Sequence, residues 1–128
     1  MITVGISDLM DEYKEFEDNI FDIEEKMEEY EKDDDEYDML LGQRNDILED
    51  DRYIALKDFA ENIEKEYENG TMVQDVYIEE YIRDNYEEMT GCVIPTCIKN
   101  YIDWDAVAND MSAEYTTIEF DGNSYYIV

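Results

Sequence analysis

The sequence predicts an α+β protein, predominantly helical, with acidic helical hairpins followed by a small C-terminal unit of one helix and a β-hairpin. Apolar residues recur at alternating gaps of four and three from Leu9 to Tyr30, the period of one helix face. Near the C-terminus two runs rich in strand formers, residues 115–120 and 125–128, flank the turn signal Asp121-Gly122-Asn123-Ser124. Disordered acidic chains are poor in aromatics, whereas this one holds 12 Tyr, 4 Phe and 1 Trp in 128 residues. A chain of that length suits one compact domain, or a helical subdomain joined to a smaller second one.

Ser7 before Asp8 and Leu9 is an N-cap signal, and the stripe Leu9, Tyr13, Phe16, Ile20, Ile23, Met27, Tyr30 predicts a helix over about residues 8–32. The frame continues through Tyr37, Leu41 and Leu48, but Asp34 falls on it within Lys32-Asp33-Asp34-Asp35-Glu36, where a core position would bury a charge. A break there gives a second, antiparallel helix over 36–50; one continuous helix dimerising as a coiled coil is the alternative. Leu56, Phe59, Ala60, Ile63 and Tyr67 predict a third helix closed by Asn69-Gly70. Val73, Val76, Tyr77, Tyr81, Ile82 and Met89 predict a fourth, ending at Gly91 and packed on the third as a second hairpin.

Beyond Gly91 the composition changes. Val93-Ile94-Pro95 interrupts, residues 96–102 allow a helical turn, and Asp103 caps a helix from Trp104 to Met111 ahead of the hairpin. The expected organisation is an acidic helical region over residues 1–91 and an α+β unit over 92–128.

Charge bounds the function. Thirty-eight Asp and Glu stand against 9 Lys and Arg, a net charge of -29, and residues 1–51 alone hold 21 acids and 4 bases. A compact chain at that charge repels itself, which disfavours nucleic acid and anionic membrane as direct partners and favours a basic protein surface. No apolar run is long enough to span a bilayer, and the N-terminus lacks a basic, apolar leader, so a cytoplasmic location is expected. Cys92 and Cys97 lack zinc or redox spacing and are expected to be reduced, half-buried thiols.

Several chemistries lack their residues. With no His, neither a Ser-His-Asp nor a Cys-His nucleophile can form. The five glycines stand apart, so no phosphate-cradling loop exists, and Asp33-Asp34-Asp35 lacks the alternation of a calcium loop. Carboxylate pairs arise by chance among so many acids. The expectation is a non-enzyme with no cofactor and no metal.

The chemistry present is a row. Opposite the apolar stripe stand Asp11, Glu15, Asp18, Asp22, Glu25 and Glu29, again at gaps of four and three, with Asp33, Asp34 and Asp35 beyond. An ordinary solvated helix face mixes Lys with Glu; this one carries almost only acids. These carboxylates are candidates to stand in for phosphates against a basic groove. Surface acid also serves solubility and salt adaptation, and an acidic scaffold or chaperone-like partner of a basic nucleoid or virion protein would share the charge.

The segment Ile94-Pro95-Thr96-Cys97-Ile98-Lys99-Asn100-Tyr101-Ile102-Asp103-Trp104-Asp105-Ala106-Val107-Ala108-Asn109-Asp110-Met111, with Tyr115-Thr116-Thr117-Ile118 after it, resembles the C-terminal region of the ArdA antirestriction proteins. Pro95, Asn100, Tyr101, Ile102, Asp103, Ala106, Ala108 and Asp110 match that family's pattern; Trp104 and Met111 are conservative replacements, while Val107 and Asn109 depart from it. The likeness reaches back to about Val73, and the family's first domain has no counterpart in residues 8–50. It implies a phage or mobile-element protein that fills the DNA channel of a host defence enzyme, with Tyr101, Asp103, Trp104, Val107, Asn109 and Asp110 in the activity-associated stretch near a dimer contact. A homodimer is thus one expected state. The target stays open between a type I restriction-modification complex and a CRISPR effector, whose nucleic-acid channel is also basic.

Overall fold

In the computed structural model, which describes residues 3–128, β1 (Thr3–Gly5) runs directly into α1 (Ile6–Met27), followed by α2 (Asp35–Leu48) and α3 (Asp51–Asn62). After a 3-10 turn at Lys65–Tyr67 come β2 (Thr71–Gln74), a second such turn at Asp75–Tyr77 and α4 (Ile78–Thr90). A third turn at Lys99–Tyr101 precedes α5 (Trp104–Ser112), β3 (Thr116–Phe120) and β4 (Asn123–Ile127). The fold is α+β and mainly helical, as the sequence predicts. Two compact units share the chain: residues 6–69, and residues 3–5 with 70–128. The division therefore falls at Gly70 and not after Gly91, because α4 packs on α5 and β2 pairs with β4.

In the three-helix unit α1 packs against both α2 and α3. The stripe faces inward: Leu9, Ile20 and Met27 are buried and Tyr13, Phe16 and Ile23 half-buried. Each fully buried side chain of this size contributes about 1.5–3 kcal/mol. Ser7 is not the cap, since the helix begins at the fully buried Ile6 straight from β1. The helix stops at Met27, five residues short of expectation at its C-terminal end, leaving Tyr30 exposed.

Asp34 explains the break. Its side chain accepts a 2.9 Å hydrogen bond from the Glu36 N–H, satisfying one of the donors left open at the start of α2. The hairpin forms, and the continuous coiled-coil helix does not. Leu40 is the buried residue of α2, while Leu41 is half-buried and Leu48 exposed, so the apolar frame shifts by one residue across the turn. Asp50 caps α3 by accepting from the Arg52 and Tyr53 N–H groups at 2.9 and 3.1 Å. That helix buries Tyr53, Leu56 and Phe59 and ends at Asn62, well before Asn69-Gly70. The Asn62 amide donates back to the Asp58 carbonyl at 2.7 Å, and Ile63 is already extended.

The second unit is built on an antiparallel sheet of order β1-β2-β4-β3. Val73 lies in β2, opposite Thr3 and Tyr126, and not in a helix as predicted. Val76 is exposed and α4 begins only at Ile78, so the second helical hairpin is replaced by a strand between α3 and α4. Consecutive Met72 and Val73, on opposite faces of β2, are both fully buried. Gly91 ends α4 as expected, at φ 71° with its N–H on the Glu87 carbonyl at 2.9 Å. The terminal hairpin turns on Asp121 and Gly122, both at positive φ (51° and 80°), the signature of a type I′ turn. Among the described residues no helix is long and apolar enough to cross a membrane.

Candidate functional site: a carboxylate row on α1

At 100° per residue, Asp11, Glu15, Asp18, Asp22 and Glu25 lie on the α1 face opposite Leu9, Ile20 and Met27, and all five are exposed. Their gaps of four and three residues correspond to steps of about 6 and 4.5 Å, and the five span about 21 Å. Glu29 is exposed in the turn beyond the helix, and Asp33 follows, exposed, in the same connection. Asp35 opens α2. Asp34 is exposed too, but one of its oxygens already serves the helix cap.

The two arginines of this unit are placed at its seams. Arg52 of α3 grips Glu12 of α1 through two 2.8 Å bonds, from Nε to Oε1 and from Nη2 to Oε2. The bidentate hydrogen bond and charge of Arg52 hold the Glu12 carboxyl below its ordinary pKa. Arg44 of α2 approaches Glu24 of α1 at 3.7 Å. Glu12 and Glu24 border the buried stripe on either side, so these ion pairs fasten α1 to its neighbours and leave the row out. Lys14 and Lys26 are exposed at the row's margins.

The unit 6–69 holds 26 acids against 7 bases, a net charge of -19. Like charges at helical i, i+3 and i, i+4 spacing disfavour a helix by a few tenths of a kcal/mol per pair. Along this row that amounts to on the order of 1–2 kcal/mol, which the buried face of α1 outweighs. The carboxylates are dispersed, and among the described residues no group of three or more acids, Cys or His could hold a metal ion.

The residues singled out in the C-terminal segment lie in the other compact unit and are not gathered into one cluster. Asp103 caps α5, accepting from the Ala106 N–H at 3.2 Å. Trp104 is half-buried edge-on to Tyr86 of α4, ring centroids 5.7 Å apart. Val107 joins these two in lining an apolar cleft of about 210 Å³ that also reaches Cys92 and Pro95. Tyr101 is 87% exposed, and Asn109 and Asp110 face solvent. Cys92 and Cys97 are free and exposed, not half-buried, because they sit in the irregular segment after Gly91.

Phe21 is a residue the periodicity leaves out. It falls off the apolar stripe and is 64% exposed on α1, and its failure to fit the four-and-three spacing is the sequence signal for it. Comparisons with known protein families, curated proteins and solved structures find no match to this chain.

Proposed function

We propose that the protein is a non-catalytic DNA mimic, an antirestriction or anti-CRISPR inhibitor that occupies the basic DNA-binding channel of a bacterial defence enzyme. The observation that carries this reading is the row Asp11 to Glu25: five exposed carboxylates in helical register, passed over by the ion pairs that hold α1 in place. Five charges in about 21 Å compare with about six phosphates per strand over the same length of duplex. A groove that binds DNA gains affinity by releasing condensed counterions, and a rigid carboxylate row draws on the same term. The net charge of -29 equals that of roughly 50 Å of duplex. The ArdA-like segment around Tyr101 to Met111 supports the same reading from the other unit, and a type I restriction-modification complex or a CRISPR effector is the proposed target in the host cytoplasm.

The test is displacement. Purified type I restriction complex and, separately, a Cas9-type effector are loaded with fluorescent duplex and titrated with the protein. Stoichiometric release of the duplex, weakening as salt is raised, supports mimicry. Binding to a basic protein without release of its DNA would instead identify an acidic scaffold.

A further inference from the structure

We propose that Phe21 makes this surface selective for arginine: a guanidinium of the basic partner stacks on its ring while adjacent carboxylates accept its N–H groups. The inference rests on the proposed function, in that the α1 face meets a basic protein surface, and it specifies which cation that surface presents.

On a helix the neighbours of residue 21 are those three and four positions away, with Cβ atoms about 5–6 Å distant. Here all four are acids: Glu17, Asp18, Glu24 and Glu25. Two are engaged inside the unit, since Glu17 accepts from the Tyr53 hydroxyl at 2.8 Å and Glu24 faces Arg44. Asp18 and Glu25 are exposed on the row side of the ring and, among the described residues, take part in none of the unit's ion pairs.

A ring 64% exposed and bordered by carboxylates suits a cation that is flat, weakly hydrated and rich in directed donors. Guanidinium has those properties; the compact, strongly hydrated ammonium of lysine has them to a lesser degree. An apolar ligand would have to strip water from the surrounding carboxylates, and a second copy of this chain would bring like charge to the same face. Charge complementarity therefore selects an arginine-bearing occupant.

The experiment uses the full chain and two probes, deca-arginine and deca-lysine, with affinities measured over a series of salt concentrations. Phe21→Ala should lower the arginine-to-lysine affinity ratio by about two- to fivefold and leave the salt dependence of both peptides unchanged. Phe21→Leu, which keeps apolar area without a π face, should lose the ratio similarly, and Phe21→Trp should retain it. The Phe21 ring proton resonances should shift with deca-arginine more than with deca-lysine. An unchanged ratio in Phe21→Ala, or a ratio kept by Phe21→Leu, overturns the proposal. Failure of the underlying reading looks different: binding of both peptides that is insensitive to salt, or to Asp18→Asn with Asp22→Asn, would overturn the carboxylate row whatever the ratio.

Discussion

Tyr53 of α3 donates its phenolic proton to the Glu17 carboxylate of α1 at 2.8 Å, with the Tyr53 ring stacked on Tyr13 at 6.1 Å and tilted against Phe16 at 5.6 Å. An acid of the helix that bears the carboxylate row is thereby used for packing. Removing the hydroxyl with Tyr53→Phe leaves a part-buried carboxylate without this donor and should cost about 1–2 kcal/mol. Urea unfolding measures the loss. In a double-mutant cycle with Glu17→Ala the two effects should be clearly less than additive.

The same cluster predicts an alkaline transition. Burial, with the Glu17 carboxylate beside it, pushes the Tyr13 hydroxyl up to about 12, and burial and Glu17 raise Tyr53 as well. A folded-state pKa above the unfolded value of about 10 means that the native state holds its proton longer. The resulting stability is fully present below pH 10 and is lost as pH rises from about 10 to 12. Thermal melts from pH 8 to 12 should show the decline, and Tyr13→Phe should reduce it.

Salt should act in opposite directions on folding and on binding. Screening relieves the self-repulsion of a chain at -29, so the melting temperature should rise between 0.05 and about 0.5 M salt. Affinity for a basic partner should fall over the same range. Combining Asp11→Asn, Glu15→Gln, Asp18→Asn and Asp22→Asn should leave the fold intact or stabilise it by on the order of 1 kcal/mol, through the like-charge pairs removed. The same variant should flatten the salt dependence of inhibition and weaken it at least tenfold. Inhibition unchanged by these four substitutions would sink the carboxylate-row reading.

Glycines separate local preference from required geometry. Gly42 lies inside α2 with open space where a Cβ would project, so Gly42→Ala should stabilise by about 0.5–1 kcal/mol. Gly122, at φ 80° in the hairpin turn, also has open space, yet Gly122→Ala should destabilise by about 1 kcal/mol because the backbone conformation itself is unfavourable for an L side chain. Chemical denaturation of the two variants should give shifts of opposite sign.

Long helices and short-range turns were legible in the sequence because their determinants are local. The stripe of α1, the Asp103 cap, the stop at Gly91 and the Asp121-Gly122 turn each depend on residues a few positions apart. The carboxylate row was legible for the same reason: once α1 is a helix, its spacing alone places Asp11 to Glu25 on one face. The Asp34 break was legible as an improbable core charge, although its role as the α2 cap appears only in three dimensions.

The sheet was only half legible. β1 has three residues and β2 four, too few to reveal a period of two, and Val73 fits a helical spacing as well as a strand. What makes them strands is pairing across the chain, Thr3 to Val73 and Val73 to Tyr126, which closes long loops and leaves no mark on neighbouring residues. Likewise, the sequence by itself determined how much acid the chain carries and its order along α1. Tertiary structure decided which acids are taken up in packing, Glu12 by Arg52, Glu17 by Tyr53 and Glu24 by Arg44, since a polar contact between helices depends on how their faces dock.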